Sequence, residues 1–165
     1  HPSGDRVLSQ VAAILMHQVR EMDLVARYGG EEFAVIFPGT SLADATRVAE
    51  RVRLAVAHAD FILGSEKHAI TVSAGTAEVR PEDTITTLIG RADAALYESK
   101  TAGRNCVHFD DGHAMRPADA ILDFHGVSAN SVYTIVDDDG RLPPLADTAE
   151  SDIYQLAGQT CAAEK

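Results

Sequence analysis

The stretch Arg27-Tyr28-Gly29-Gly30-Glu31-Glu32-Phe33 constrains this chain more than any other. Leu24-Val25-Ala26 precedes it and Ala34-Val35-Ile36-Phe37 follows, so a Gly-Gly pair separates two short β-prone runs. Adjacent glycines take the positive φ angles that a tight two-residue turn needs, and the pattern predicts a β-hairpin. Glu31 and Glu32 then sit at its tip or just past it. Successive strand residues point to opposite faces, so one carboxylate can meet a ligand while the other packs or hydrogen-bonds behind it. The two glycines leave the backbone bare, which lets a bulky polyanion come close. Carboxylates beside such a turn are the parts needed to hold Mg²⁺ against a phosphate. Taken alone, the same residues also describe an ordinary solvated hairpin.

Around this hairpin the hydrophobic spacing sets out three helices and two more strands. Leu8, Val11, Leu15, Val19 and Met22 recur at helical spacing, predicting an amphipathic helix from Asp5 to about Met22, with Ser3 or Asp5 available as a cap. Arg20 and Asp23 close it at a spacing that by itself signifies only a surface ion pair. Ser41-Leu42-Ala43-Asp44 has the form of a capping box. The helix it opens runs to about Ala57, buries Ala45, Val48, Val52 and Ala55, and exposes Arg47 and Arg51 one turn apart. Residues 59–68 read as a loop carrying the apolar run Phe61-Ile62-Leu63. Residues 69–79, rich in β-branched and small side chains, read as a strand in which Gly75 marks close packing or a bulge. Pro81-Glu82-Asp83-Thr84 introduces a third helix through Lys100, with Leu88, Ala92, Ala95 and Leu96 inward and Gly103 as its C-cap. Lys100 and Arg104 at its end also suit the helix dipole. Residues 105–109 form a last strand.

Composition removes several classes of function. Net charge is −11 and uneven, with 14 acids against 11 bases in residues 1–109 and 11 against 3 in residues 110–165. Such a balance argues against DNA or RNA as a partner, which requires a basic footprint, but leaves a nucleotide ligand open. No apolar run approaches a membrane span and no signal-peptide pattern opens the chain. Cys106 and Cys161 are too few for a disulfide framework, so a soluble chain in a reducing, cytoplasmic setting is expected. Past residue 110, residues 131–136 followed by Asp137-Asp138-Asp139-Gly140 read as a strand and turn, and the rest as linker or disorder. His108, Asp110, Asp111 and His113 are metal-ligand types, but clusters of this kind are mostly solvated loops.

Five segments, in order, resemble the GGDEF family of diguanylate cyclases: His1 through Asp5, Arg20 with Asp23, Gly29 through Phe33 as a GGEEF signature, Thr71 through Gly75, and Ala92 through Asn105, where Ser99 stands for the family's alanine. The resemblance covers about residues 1–109. It implies an α/β (α+β) fold, a mainly antiparallel central sheet flanked by helices, related to nucleotidyl cyclase and polymerase palm domains. It implies that two GTP condense into cyclic di-GMP with release of two pyrophosphates, on a homodimer in which each subunit holds one GTP. By the same resemblance Glu31 is the metal ligand and assists deprotonation, Glu32 is a second acid, and Mg²⁺ or Mn²⁺ is the cofactor. Asp5 would contact guanine, Gly29 and Gly30 would approach the phosphates, and Lys100 and Arg104 would hold the triphosphate. Arg20 and Asp23, with Arg47 and Arg51 from another subunit, match a site where cyclic di-GMP inhibits. The alternative function is a non-catalytic module that binds cyclic di-GMP or GTP through Arg20 and Asp23.

In the family a strand and a helix bearing the first metal-binding Asp precede the position of His1. Residues 1–109 are therefore expected to be a GGDEF domain lacking those elements, with 110–165 as an acidic extension and with membrane anchoring of the parent left open. The strand lies mid-sheet in the family, so its neighbours are expected to be left with unpaired edges, and these 165 residues alone to make no cyclic di-GMP.

Overall fold

The computed structural model of the chain describes residues 2–123 and 131–138. Helix α1 spans Pro2–Gln18, strands β1 and β2 span Leu24–Arg27 and Glu32–Phe37, and α2 spans Leu42–His58. Short strands β3 (Phe61–Leu63) and β4 (Glu66–His68) follow, then β5 (Val72–Glu78) and α3 (Ile85–Thr101). Strands β6 (Val107–Asp110) and β7 (Met115–Pro117), a 3-10 turn over Ala118–Asp123 and strand β8 (Val132–Asp138) complete it. The main sheet has six strands in the order β1-β2-β8-β5-β6-β7, antiparallel throughout except between β5 and β6. The expected mainly antiparallel sheet flanked by helices is thus present.

Alternation along the strands divides the interior into two layers. Phe33, Val35 and Phe37 of β2, Val72 and Ala74 of β5 and Val132 and Val136 of β8 face α1 and α2, whose Val7, Val11, Leu15, Ala45, Val52 and Val56 complete the larger core. Ala34, Ala77, Tyr133 and Ile135 face the other way and meet Ala92 and Leu96 of α3. Ser41 caps α2 by accepting from the Asp44 amide at 3.1 Å, as its sequence position predicts. The stripe α2 buries includes Ala49 and Val56. Val48 and Ala55, expected inside, are half-buried.

Three local expectations are corrected. Helix α1 begins at Pro2, which places Ser3 and Asp5 within its first turn rather than at a cap, and it stops at Gln18 instead of Met22. The stop is chemical: the Asp23 carboxylate accepts the Arg20 amide at 2.7 Å, while the Asp23 amide donates to the Arg20 carbonyl, forming a turn that competes with the helix. Residues 59–68 are not a plain loop but contain the β3–β4 hairpin, turned at Gly64 (φ 68°) and anchored by fully buried Phe61.

The third correction concerns the Gly-Gly turn. Its connection is residues 28–31, four long rather than two, because the amides of Tyr28 and Gly29 both donate to the Glu32 carbonyl. Gly29 has no positive φ; its missing side chain matters for space, since a Cβ there would lie 2.6 Å from Glu32 Oε2.

The largest difference from expectation lies past residue 109, which is no edge of the sheet. Strand β6 runs on to Asp110, β7 pairs with it, and β8 occupies the centre. β8 pairs with β2 over Glu32↔Asp137 to Phe37↔Val132 and with β5 over Val72↔Asp138 to Glu78↔Val132. The edges expected to be open on either side of a missing central strand are therefore both satisfied. Asp110 and Asp111 are likewise not solvated. Asp110 accepts from Arg80 at 2.9 Å and Arg91 at 2.7 Å, Arg91 also pairs with Asp83, and Asp111 pairs with Arg116.

Helix α3 rests on the sheet through Gly75. A Cβ at this position would lie 2.2 Å from both the Ala92 carbonyl oxygen and the Leu96 nitrogen, atoms of helix backbone that cannot rotate aside. Gly75→Ala should therefore push α3 off the sheet and cost about 3 kcal/mol or more. Urea denaturation measures this, and a loss well under 1 kcal/mol would contradict the close contact.

Candidate active site

The antiparallel ladder places Glu32 directly opposite Asp137. Both share the sheet face of Ala34, Tyr133 and Ile135, the face covered by α3. The last turn of α3 brings Lys100 to the same point, where its ammonium forms an ion pair with Asp137. Asp137 is buried at 3% exposure, whereas the Lys100 side chain is 33% exposed. Glu32 lies over Gly29, so the bare turn forms one wall.

Burial raises the carboxyl groups here, and for Glu32 neighbouring negative charge adds to it. Burial, then the facing Asp137 carboxylate, push Glu32 above the usual carboxylate value, while Lys100 acts in the opposite sense. Burial raises Asp93 of α3 as well. Burial by itself would lower Lys100, but its hydrogen bond and charge interaction with Asp137, helped by Glu32 and Glu31, hold it above its ordinary value.

The sequence-predicted residues are brought together only in part. Glu31, Glu32, Gly29 and Lys100 share one neighbourhood, with Glu31 close enough to Lys100 to act on its charge. Gly30 belongs to the same turn, its carbonyl accepting from Arg27 at 2.6 Å. Arg104 is exposed just past α3, where Gly103, Arg104 and Asn105 all have positive φ (114°, 64° and 48°) and turn the chain into β6. Gly103 thus takes the left-handed conformation expected of it. Asp5 is exposed in the first turn of α1. Asp137 and Asp93 join the site without having been singled out. Asp137 lay in a segment read only as strand and turn, and its role depends on a pairing between residues 105 positions apart in sequence.

Arg20 and Asp23 form a second locus at the end of α1, beside a shallow surface depression lined by Arg20, Glu21 and Met22. The simple ion pair that their spacing allows is replaced by the bond from the Arg20 amide, which leaves the guanidinium exposed. Asp23 is 9% exposed, and its Oδ1 is buried without a hydrogen-bond partner among the described residues. Arg51 reaches across from α2 to the side chain and carbonyl of Gln18, which brings it to the same end of α1. Arg47 pairs with Asp44 on the surface of α2.

Ser99, the departure from the family alanine, has a definite task. It is fully buried, and its hydroxyl donates to the Ala74 carbonyl at 2.8 Å. That uses its one proton, so the 3.0 Å contact with His108 Nδ1 has the imidazole N–H donating to Ser99 Oγ. The chain Ala74–Ser99–His108 thereby fixes the turn of α3 that carries Lys100.

Among the described residues no three His, Cys, Asp or Glu side chains converge on one point. Mg²⁺ takes one or two carboxylates and completes its shell from water and substrate phosphates. Glu32 and Asp137, hard oxygen donors opposite each other across the ladder beside a bare backbone turn, fit a divalent cation held in that way, with Glu31 next to them in the same turn.

A mainly antiparallel sheet with an acidic turn and a helix-borne lysine on one face defines an α/β domain with its charged groups gathered at one end of the sheet. A model of the family described as "Diguanylate cyclase, GGDEF domain" matches residues 1–106. The chain belongs to the GGDEF family. It is 46% identical over 110 residues to the response regulator PleD of Caulobacter vibrioides, an alignment covering 65% of this chain and 24% of that protein. The chain thus spans about a quarter of that relative's length. Among solved structures it resembles diguanylate cyclase SiaD of Pseudomonas aeruginosa in complex with its activator SiaC (TM-score 0.64, 43% identity, 67% of this chain and 42% of that one). It also resembles the GGDEF domain of DgcB from Caulobacter crescentus in complex with c-di-GMP (TM-score 0.61, 40% identity, 64% and 63%).

The buried imidazole gives a pH prediction. Burial lowers the His108 pKa, with Glu98 and Asp119 acting against it. The unfolded chain therefore takes up a proton near pH 6.5 that the folded chain resists, so stability falls as pH drops through that value. The melting temperature should decline from pH 7 to pH 5, and by less in His108→Gln. An equal decline in both proteins would remove His108 as the cause.

Proposed function

We propose that the chain forms the catalytic domain of a diguanylate cyclase, which joins two GTP into cyclic di-GMP and releases two pyrophosphates. One observation supports this above the rest: the Glu31–Glu32 turn, Lys100 and Asp137 meet at one face beside the bare backbone of Gly29. Mg²⁺ or Mn²⁺, when bound, supplies the charge that acidifies the attacking 3′-hydroxyl and offsets charge developing on the phosphate and the leaving group.

The remaining work falls to residues of the chain. Glu31 and Glu32 would hold the cation, and Glu31, half-exposed at the turn, is the group that receives the 3′-hydroxyl proton. Gly29 and Gly30 let the phosphates approach without steric hindrance. Lys100 and Arg104 steady the triphosphate, and Asp5 accepts from the N1–H and 2-amino group of guanine. Since each GTP supplies the hydroxyl that attacks the other, two copies of the domain must face one another, and the working unit is a homodimer. GTP as substrate places it in the cytoplasm.

Cyclic di-GMP returns as an inhibitor at the second locus, where the exposed Arg20 guanidinium offers donors to a guanine edge and Asp23 holds the turn beside it. Arg47 and Arg51 complete that site from another subunit.

In whichever length of the protein makes cyclic di-GMP from GTP and Mg²⁺, Glu31→Gln should lower the rate at least about a hundredfold and leave product binding intact. Arg20→Ala should do the reverse, sparing synthesis and weakening product inhibition. Chromatographic assay of cyclic di-GMP and calorimetric titration with it measure the two arms. Synthesis that survives Glu31→Gln would overturn the assignment. Binding without synthesis in the unmodified protein would favour the non-catalytic module.

A further inference from the structure

Residues directly opposite in an antiparallel pair carry side chains on one face, with Cβ atoms about 4.5–5.5 Å apart. Glu32 and Asp137 stand in this relation, so two carboxylates confront each other across the β2–β8 ladder. Like charges so placed repel unless a cation lies between them. The cation that answers Asp137 is Lys100, whose ammonium reaches it from the end of α3.

The two partners differ in freedom. Asp137 belongs to the central strand, bonded to β2 on one side and β5 on the other, and cannot leave without dismantling the sheet. Lys100 stands on a flexible stem at a helix end and is one-third exposed, so its ammonium can withdraw into solvent while the fold remains intact. A single positive charge also undercompensates a neighbourhood that holds Glu31, Glu32, Asp93 and Asp137.

We propose that the Lys100 ammonium holds the place of a divalent cation between Asp137 and Glu32, and that cation binding exchanges the partners. The cation takes the Asp137 and Glu32 carboxylates, and the released Lys100 turns to the phosphates of the nucleotide. No covalent bond changes: one ion pair is replaced by another, with a charge of +2 in place of +1. Asp137, delivered by the C-terminal strand, thereby becomes a cation ligand. The second half of the exchange rests on the cyclase reading; the first half does not.

The test uses the full 165-residue chain without nucleotide, with Mn²⁺ as probe. Free and bound Mn²⁺ are separated by electron paramagnetic resonance, and circular dichroism confirms that each variant is folded. Lys100→Gln removes the competing ammonium and should tighten Mn²⁺ binding by about tenfold or more, whereas Asp137→Asn should weaken it by a similar factor. The double variant should fall back to the weak level. If Asp137→Asn fails to fold, Glu32→Gln reads the same site from the other strand and should also weaken binding. Unchanged or weaker binding in Lys100→Gln would overturn the exchange, as would full binding in folded Asp137→Asn or in Glu32→Gln. None of these measurements involves GTP, so their failure leaves a cyclase that holds its cation at Glu31. Conversely, Mn²⁺ binding at Asp137 together with no cyclic di-GMP synthesis by any length of the protein that carries this domain would refute the cyclase reading alone.

Discussion

Strand β8 gives backbone donors and acceptors to β2 on one side and to β5 on the other, and the rest of the domain is arranged about that double pairing. Without it the sheet would fall into two unequal parts: the β1–β2 hairpin, and the group β5, β6 and β7. Each would expose a row of unpaired amides and carbonyls to a largely apolar interior, where they are costly. The strand is well suited to the position. Val132, Ile135 and Val136 are between 0 and 2% exposed, and Thr134, at 1%, satisfies its hydroxyl on Thr76. A strand buried on both faces needs a nearly continuous apolar run, and Val-Tyr-Thr-Ile-Val provides one.

The same pairing creates the charge problem that defines the site. As β8 leaves the sheet's interior its sequence turns from apolar to acidic, and the ladder register brings that change to the level of Glu32. A shift of one residue would send Asp137 to the opposite face, toward the core shared with α1 and α2, so apolar burial and placement of the carboxylate are settled by one choice of register. The cost of two facing acids is offset locally by Lys100. That lysine's position in turn depends on how closely α3 lies on β5, which Gly75 permits and the bond from Ser99 to Ala74 fixes.

Much of this was legible in the sequence, for reasons that differ from residue to residue. Helical spacing exposed the inward faces of the three helices because burial enforces the pattern every three or four residues. Ser41 announced α2 through a contact only three residues long, and Gly75 was recognisable as a point of close approach because only hydrogen fits there. The Gly-Gly turn was misjudged in its detail: glycine can signal positive φ or simple lack of room, and the choice depends on where the Glu32 side chain lies. The end of α1 was missed because Asp23 draws the backbone into a competing turn that hydrophobic periodicity does not report. The place of β8 was harder still. A short β-prone run ahead of an acidic stretch carries no mark of its partner, and its role depends on contacts with residues near positions 32 and 73.

Residues 99 and 100 show how one helix turn serves both the fold and the site. Adjacent helical positions point about 100° apart, so Ser99 can face inward to Ala74 and His108 while Lys100 reaches sideways to Asp137. Alanine at position 99 would fill the space but could not bridge helix to sheet. The hydroxyl ties the α3 backbone to β5 by a bond of 2.8 Å, one residue before the ammonium. The freedom left to Lys100 is therefore that of its own four-carbon stem and not of the helix beneath it. A group so mounted can change partner between a carboxylate and a phosphate without disturbing the core, which is the mechanical requirement for a cation and a lysine to share one pair of acids.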